Sequence, residues 1–325
     1  MSRVSGASVT VAGAGALGLC IALELARRGA RVAVCDPASP GDNASGVAAG
    51  MLAPVFETIL DPQGLDQLPL LRFARDLWPD FADIPLDRSG AVYRGARGNA
   101  VRAQLAAMGA AWRETDLGPQ TAEDWRLDAG AAMTRLYVMA ERAGVQFESR
   151  PVTPEDAGLT VVATGAGDGV LAPELARLTP IKGHILRLAG GPSEGPVLRA
   201  EGIYLCPDPA GALLGATMEP GVDDRRVDPE QVAGLLRRGE GLWPGVGSLR
   251  ARADVGVRAG TPDGLPMVGW SARPATLLAV GARRNGWLLA PLVARTVAAY
   301  VAGDDPGPYA ARLDPRRFDT ASEDP

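Results

Sequence analysis

Hydrophobic and polar positions along the chain fall into three regimes. In the first, SVTVAGAGALGLCIALELARRGARVAVCDP at 8–37 opens on an apolar β-branched run at Val9 and Val11 and turns through glycines into a helix expected from Ala16. It reaches a second apolar strand over 30–35 that ends on Asp36. A loop of small residues, NASGVAAGMLAP, follows at 43–54. Leu68, Leu71, Phe73 and Leu77 then recur at helical spacing within 66–80, GAVYRG at 90–95 reads as a short strand, and 130–143 reads as an amphipathic helix stopped by Gly144. Strands are expected at 145–148 and 159–163. The middle regime, 181–257, changes character: GHILRL, GIYLC and GALLGA are strand-like runs separated by Gly-Pro and Asp-Pro turns. The last regime returns to α/β, with a strand over 276–281 and a helix from about Trp287 to Ala302, and its Pro- and Asp-rich tail after Gly303 is expected at the surface or partly without order.

The first turn carries the clearest chemistry. Gly13, Gly15 and Gly18 form G-x-G-x-x-G between a strand and a helix. Gly13 allows the tight turn, Gly15 lets a pyrophosphate approach the backbone, and Gly18 lets helix and strand pack closely. The unpaired N–H groups of a helix N-terminus suit phosphate. Asp36 closes the second strand about 20 residues beyond the glycines, where a ribose-binding carboxylate belongs, which argues against a 2′-phosphate and hence against NADP. A bare strand-to-helix corner would need the same glycines, but strand, turn, helix, strand and acid here agree. NAD and FAD both remain open at this point.

Composition narrows the partners. The 325 residues carry a net charge of −5 and no basic stripe interleaved with aromatics, which argues against a nucleic-acid partner and for a small substrate. Cys20, Cys35 and Cys206 are odd in number and lack C-x-x-C spacing, so neither a disulfide framework nor a zinc site is expected. The first strand leaves no room for a signal peptide, and WLLAPLVARTVAAYVAG is interrupted by Arg295 and too short for a membrane span, so a cytoplasmic protein with no membrane partner is expected. His184, the one histidine, sits inside a strand and is expected to be structural. Asp223, Asp224, Arg225 and Arg226 read as a solvated turn.

Several stretches occur together in an order that resembles one family. The glycine turn, SGVAAGMLAP, VVATGAG, PIKGHILRL, YLCPDPAGALLGATMEPG, GVRAGTPDGLPMVGW and GARRNGWLLAP are similar to those of FAD-dependent D-amino-acid oxidase-like enzymes, nearest to the glycine oxidases of thiamine biosynthesis. The resemblance covers most of the chain and implies FAD rather than NAD; the link is expected to be non-covalent, since Cys20 reads as part of the first helix, Cys35 of the second strand and Cys206 of the substrate domain. The resemblance also implies an α/β fold, with a Rossmann-like FAD-binding domain (1–83, 126–180 and 255–325) and a sheet-rich α+β substrate domain (84–125 and 181–254). It implies that Arg258 pairs with the substrate carboxylate, that Tyr204 and Met218 line the same pocket, and that Arg284 is a second arginine beside flavin and substrate. For FAD it implies Gly13, Gly15, Ala16, Leu17 and Gly18 in the turn, then Asp36, Pro37, Ala44, Ser45, Ala49, Gly50, Met51 and Val152. The run Arg284, Asn285, Gly286, Trp287 and Leu288 completes that set, with a helix N-terminus able to stabilise negative charge on the reduced ring.

Each role has a plainer alternative: a domain-bridging arginine at 258, a half-buried strand aromatic at 204, a core-filling methionine at 218. Three departures from the family stand out. Ala282 and Arg283 replace a usual His and aromatic residue, the segment from Val152 to Leu159 is short, and Ala259 replaces a proline. Arg283 is read either as facing the surface or as an extra cation favouring a substrate with a second carboxylate. The expected reaction is oxidative deamination of glycine or another small amino acid to its imine, with O2 reduced to H2O2, in thiazole formation. No protein group need act as general base, since the flavin takes hydride. The alternatives are a same-fold D-amino-acid dehydrogenase with a non-oxygen acceptor and a non-catalytic nucleotide-binding module. Self-association stays open.

Overall fold

Two sheets organise the protein, for which a computed structural model describes residues 4–61, 66–156, 158–167 and 169–319. The first sheet has six strands in the order Met267–Trp270, Thr276–Val280, Leu159–Val162, Ser8–Ala12, Arg31–Cys35 and Gln146–Glu148. Its neighbours pair in parallel, apart from the antiparallel edge strand Met267–Trp270. Alternation assigns the faces. Val9, Val11, Val32 and Val34 join a core shared with the helices Ala16–Arg27, Ala129–Arg142 and Gly286–Ala302, whereas Ala12, Cys35 and Val162 point into a smaller core with Leu171, Leu175 and Leu278. Each such valine or leucine contributes about 1.5 to 3 kcal/mol by leaving water.

Helix Gly286–Ala302 is buried on nearly all sides yet contains Pro291, which cannot donate to the carbonyl of Trp287. The indole Nε1 of Trp78 donates to that carbonyl instead, at 3.0 Å, so the orphaned acceptor is satisfied by tertiary contact. Among the described residues no helix is long and apolar enough to cross a membrane.

The second sheet has nine strands. Thr179–Leu188 lies between Gly211–Gly215 and Ala251–Gly260, and pairs with the latter along its whole length. The short strand Glu219–Pro220 also pairs with Thr179–Leu188, at Lys182, and beyond Gly211–Gly215 come Ile203–Asp208, Val197–Ala200, Ala91–Tyr93, Gly118–Thr121 and Trp112–Thr115. Positions 181 and 255 therefore fall inside strands of this one sheet. Strand Ala251–Gly260 escapes sequence reading because ARADVGVRAG has no strict alternation; its partner strand fixes it instead.

Two further expectations change. The loop at 43–54 holds a short helix, Ala44–Val47, whose first amides at Ser45 and Gly46 are capped by the Asn43 side chain, and a strand Met51–Leu52 that pairs with Trp125–Arg126. The tail is packed through 319: Leu313 is fully buried, and Arg317 donates to Asp263 and to the carbonyl of Leu265. The tail beyond 319 lies outside the described residues.

Candidate functional site

A cavity of about 510 Å³ opens at the C-terminal ends of strands Ser8–Ala12, Arg31–Cys35 and Leu159–Val162, where parallel sheets receive ligands. Its floor is the glycine turn. A Cβ at Gly13, whose φ is +108°, would meet the carbonyl oxygen of Ala163 at 2.5 Å, and one at Gly18 would meet the carbonyl oxygen of Gly13 at 1.9 Å. Those two glycines are required by the protein's own packing. At Gly15 a Cβ would meet no backbone atom, only Ser45 Oγ at a tight 3.2 Å, so a side chain there is opposed far less by the polypeptide than at Gly13 or Gly18. The space in front of Gly15 is what a phosphate-bearing ligand needs.

Side chains hold this floor in shape. The Ala14 N–H donates to Asp36 Oδ2 at 2.7 Å, the Ala38 N–H to Asp36 Oδ1 at 2.8 Å, and the Ala16 N–H to Ser45 Oγ at 3.0 Å. Trp287 Nε1 donates to the Ser45 carbonyl at 3.0 Å, tying the last long helix to the same loop. That helix starts at Gly286 without a side-chain cap, and Gly286 and Trp287 line the cavity.

A second cavity, of about 130 Å³, adjoins the first and shares Ala44, Ala48, Arg258, Arg284 and Trp287 with it. One face of the nine-stranded sheet forms its wall. Tyr204 stands opposite Arg199 on one side and Gly215 on the other, and a Cβ at Gly215 would lie 2.4 Å from the Tyr204 hydroxyl. Gly183 likewise leaves room for the Arg258 guanidinium, since its Cβ would meet Arg258 Nη2 at 2.4 Å. These glycines on neighbouring strands let two large polar side chains lie flat across the sheet.

Arg258 donates through Nη1 to the Met218 sulfur at 3.0 Å and to the Thr217 carbonyl at 3.4 Å, and forms no ion pair among the described residues. Burial, with Arg284 and Arg283 nearby, holds its guanidinium below the usual arginine range. Burial also pushes the Tyr204 phenol up to about 12, so it is a neutral donor at physiological pH.

Arginine 284, by contrast, is committed to protein partners. Its Nη2 lies 2.9 Å from Glu57 and its Nη1 3.6 Å from Asp61. Glu57 also takes Arg199 at 2.8 Å, and Asp61 takes Arg283. An alternating chain of Arg199, Glu57, Arg284, Asp61 and Arg283 therefore runs from the smaller cavity to the larger. Burial alone would raise the Glu57 carboxyl, but Arg284 and Arg199 more than offset it and bring it to about 2. Asp124 caps the helix Pro54–Leu60 that carries Glu57, accepting from the Val55 and Phe56 N–H groups at 2.8 and 3.0 Å, and burial lifts its carboxyl to about 7.

The sequence-derived residues sort between the cavities. Gly13, Gly15, Ala16, Leu17, Asp36, Pro37, Ala44, Ser45, Val152, Arg284, Gly286 and Trp287 line the larger one. Tyr204, Met218, Arg258, Ala49, Gly50, Met51 and Asn285 line the smaller. Gly18 and Leu288 line neither: Gly18 serves helix packing, and Leu288 is fully buried in the core. Met218 is a sulfur acceptor for Arg258 rather than core filler. Arg283, at φ +49°, lines the larger cavity and is paired with Asp61.

The 223–226 segment is not simply solvated. Asp224 holds the buried Lys182 at 2.8 Å, Arg225 pairs with Asp42, and Asp223 and Arg225 line the larger cavity. His184 is fully buried, with Nδ1 near Thr217 and Glu219 and Nε2 accepting from the Asp228 N–H, a structural arrangement. Sequence reasoning missed Glu57, Asp61 and Arg199. The signal for Glu57 was an acid inside the apolar run PVFETIL; nothing local marks Arg199.

Comparison with known proteins gives the family and the fold. Residues 8–300 match the family model described as FAD dependent oxidoreductase (DAO). A bifunctional tRNA 5-methylaminomethyl-2-thiouridine biosynthesis protein from Maricaulis maris is 32% identical over 92% of this chain and 52% of its own length. A bifunctional protein ThiO/ThiG from Synechocystis is 29% identical over 98% of this chain and 55% of its own. The chain thus spans about half the length of these two curated relatives. A crystal structure of glycine oxidase from Geobacillus kaustophilus superposes with a TM-score of 0.83 and 25% identity, covering 94% of this chain and 97% of that one.

Proposed function

The chain belongs to the FAD-dependent oxidoreductase (DAO) family, and from that premise we propose that it oxidises a small amino acid to its imino acid while O2 becomes H2O2. The observation that carries the reading is Arg258: a guanidinium lining both cavities, with no carboxylate partner of its own among the described residues. Its planar fork suits bidentate pairing with an α-carboxylate. Tyr204 and Met218 bound that carboxylate, and Asp36, Ser45 and the open face of Gly15 would hold the dinucleotide in the larger cavity. FAD, when bound, supplies the two-electron oxidant.

The division into an FAD-binding domain (1–83, 126–180 and 255–325) and a substrate domain (84–125 and 181–254) belongs to this reading, the boundaries near 180 and 255 being nominal. Names of relatives, which include glycine oxidase, a putative thiamine biosynthesis oxidoreductase ThiO from Rhizobium etli and a tRNA 5-methylaminomethyl-2-thiouridine biosynthesis protein, support two roles, glycine oxidation in thiamine biosynthesis and a tRNA-directed step. The net charge of −5 favours the first, since a polyanion would be repelled. Among the described residues lining the smaller cavity, none is suited to take the substrate amine proton, because Glu57 is held ionised near pKa 2 by its arginines and Tyr204 is pushed to about 12. The neutral amine must therefore come from solution, and activity should rise with pH.

The test is a peroxide assay of the FAD-loaded protein under air with glycine, sarcosine and D-amino acids. One H2O2 per imino acid formed is expected. Dye reduction without peroxide would replace the oxidase by a dehydrogenase, and failure to take up FAD would end the enzyme reading. Acid precipitation should release all the flavin, because Cys20 and Cys206 are buried thiols with raised pKa and Cys35 lies beside the Asp36 end of the larger cavity.

A further inference from the structure

The smaller cavity holds more positive charge than a monocarboxylate can answer. Arg199, Arg258 and Arg284 line it, against the carboxylate of Glu57 alone. Adding the contiguous pair Arg283 and Asp61 gives four arginines and two carboxylates, an excess of two. Asp124 faces the same cluster, but burial lifts its carboxyl to about 7 and its oxygens already serve two backbone N–H groups, so it offsets only part of one charge. The α-carboxylate assigned to Arg258 answers one cation.

Arg199 carries the other. Its Nη2 shares Glu57 with Arg284, its Nη1 meets only the sulfur of Met51 at 3.3 Å, and its buried Nε has no partner. Thioether sulfur is a weak acceptor, and a buried N–H without a partner is costly, so Arg199 keeps donor capacity for an incoming oxygen, beside a Glu57 Oε2 that pairs with Arg284 but takes no hydrogen bond of its own. Position matters as much as charge. Arg199 and Arg258 lie on strands four places apart, roughly 19 Å between backbones at the usual strand spacing. Tyr204 stands between them, and its hydroxyl feels the charge of both.

We propose that the preferred substrate is an amino or imino acid bearing a second carboxylate, one carboxylate held by Arg258 and the other by Arg199 on the far side of Tyr204. This rests on the reading of Arg258 given above. It also moves the recognition of a second carboxylate away from Arg283, whose charge Asp61 already neutralises.

The experiment compares matched pairs on the FAD-loaded protein: iminodiacetate against sarcosine, and D-aspartate against D-alanine. The dicarboxylate is expected to show at least a tenfold higher kcat/KM in at least one pair. Arg199→Met should reduce that ratio at least tenfold, and Arg199→Lys should retain part of it. A readout independent of turnover and of any variant's folding is the thermal midpoint of the parent with malonate or acetate at equal ionic strength, malonate giving the larger rise. Ratios at or below one in the parent, or malonate no better than acetate, would overturn the proposal while leaving glycine oxidation standing. Malonate stabilisation without oxidation of any amine would do the reverse, sustaining the dicarboxylate pocket and removing the oxidase reading.

Discussion

The two cavities are built on different principles although they share a wall. The larger is made from backbone: a glycine turn, two helix N-termini and amides held in place by Asp36 and Ser45. The smaller is made from charge: Arg199, Glu57, Arg284, Asp61 and Arg283 form a chain whose links come from three separate places in the sequence, the helix Pro54–Leu60 with its C-cap, a strand at 199 and the pair at 283–284. A backbone site is fixed as soon as its local turn forms. A charge site exists only after the nine-stranded sheet has closed over helix Pro54–Leu60. Changes within the ion-pair chain should therefore cost mainly folding, whereas changes at Arg258, which stands outside that chain, and at the backbone cavity should cost mainly ligand binding.

The largest effect should come from Glu57→Gln. Removing the carboxylate between two arginines leaves buried cations uncompensated, which costs about 3 to 5 kcal/mol. The measurement is the thermal midpoint across pH. Because Glu57 falls to about 2 from an ordinary 4.5, the stability it adds is complete above about pH 4.5 and is lost as pH falls toward 2. The gap between parent and variant should shrink over that window; a gap constant with pH would contradict the charge-built description. Asp124, raised from 3.8 to about 7, runs the other way, adding most below pH 3.8 and losing its contribution as pH rises through 7.

Next is Arg258→Ala, where loss of a bidentate, partly desolvated pair should lower kcat/KM by about 2 to 5 kcal/mol equivalent, or ~30-fold to several-thousand-fold. Arg258→Lys should recover only part, since an ammonium lacks the planar fork. FAD content should stay normal in both. Equal losses for glycine and for a neutral amine without a carboxylate would remove Arg258 from its assigned role. The smallest effect is Asp36→Ala, expected to weaken FAD by about 1.5 to 3 kcal/mol, roughly tenfold or more in Kd, as read from titration of the apoprotein. An unchanged Kd would take the ribose contact away from Asp36.

Legibility followed the same divide. The strand, glycine turn, helix and acid over 8–36 were readable because every determinant lies within 30 residues and acts through the backbone. The helix at 286–302 was readable from its continuous apolar run, although its tolerance of Pro291 depends on Trp78, more than 200 positions away. Tyr204, Met218 and Arg258 were reachable only through resemblance to a family, and the structure then gave them a physical setting in the gaps left by Gly183 and Gly215.

By itself, then, the sequence determined the nucleotide-binding turn, the order of elements and the location of buried apolar faces, because local sterics and hydrophobic period act over one or two turns of chain. The tertiary structure alone decided which charges meet. Glu57 shows in PVFETIL only as an acid within an apolar run, with nothing to name its partner, and Arg199 is one of many arginines; their pairing, the neutralisation of Arg283 by Asp61 and the freedom of Arg258 depend on distances between segments far apart in sequence. Coulomb energy falls with separation and rises as water is excluded, and both quantities are set only when the sheets pack.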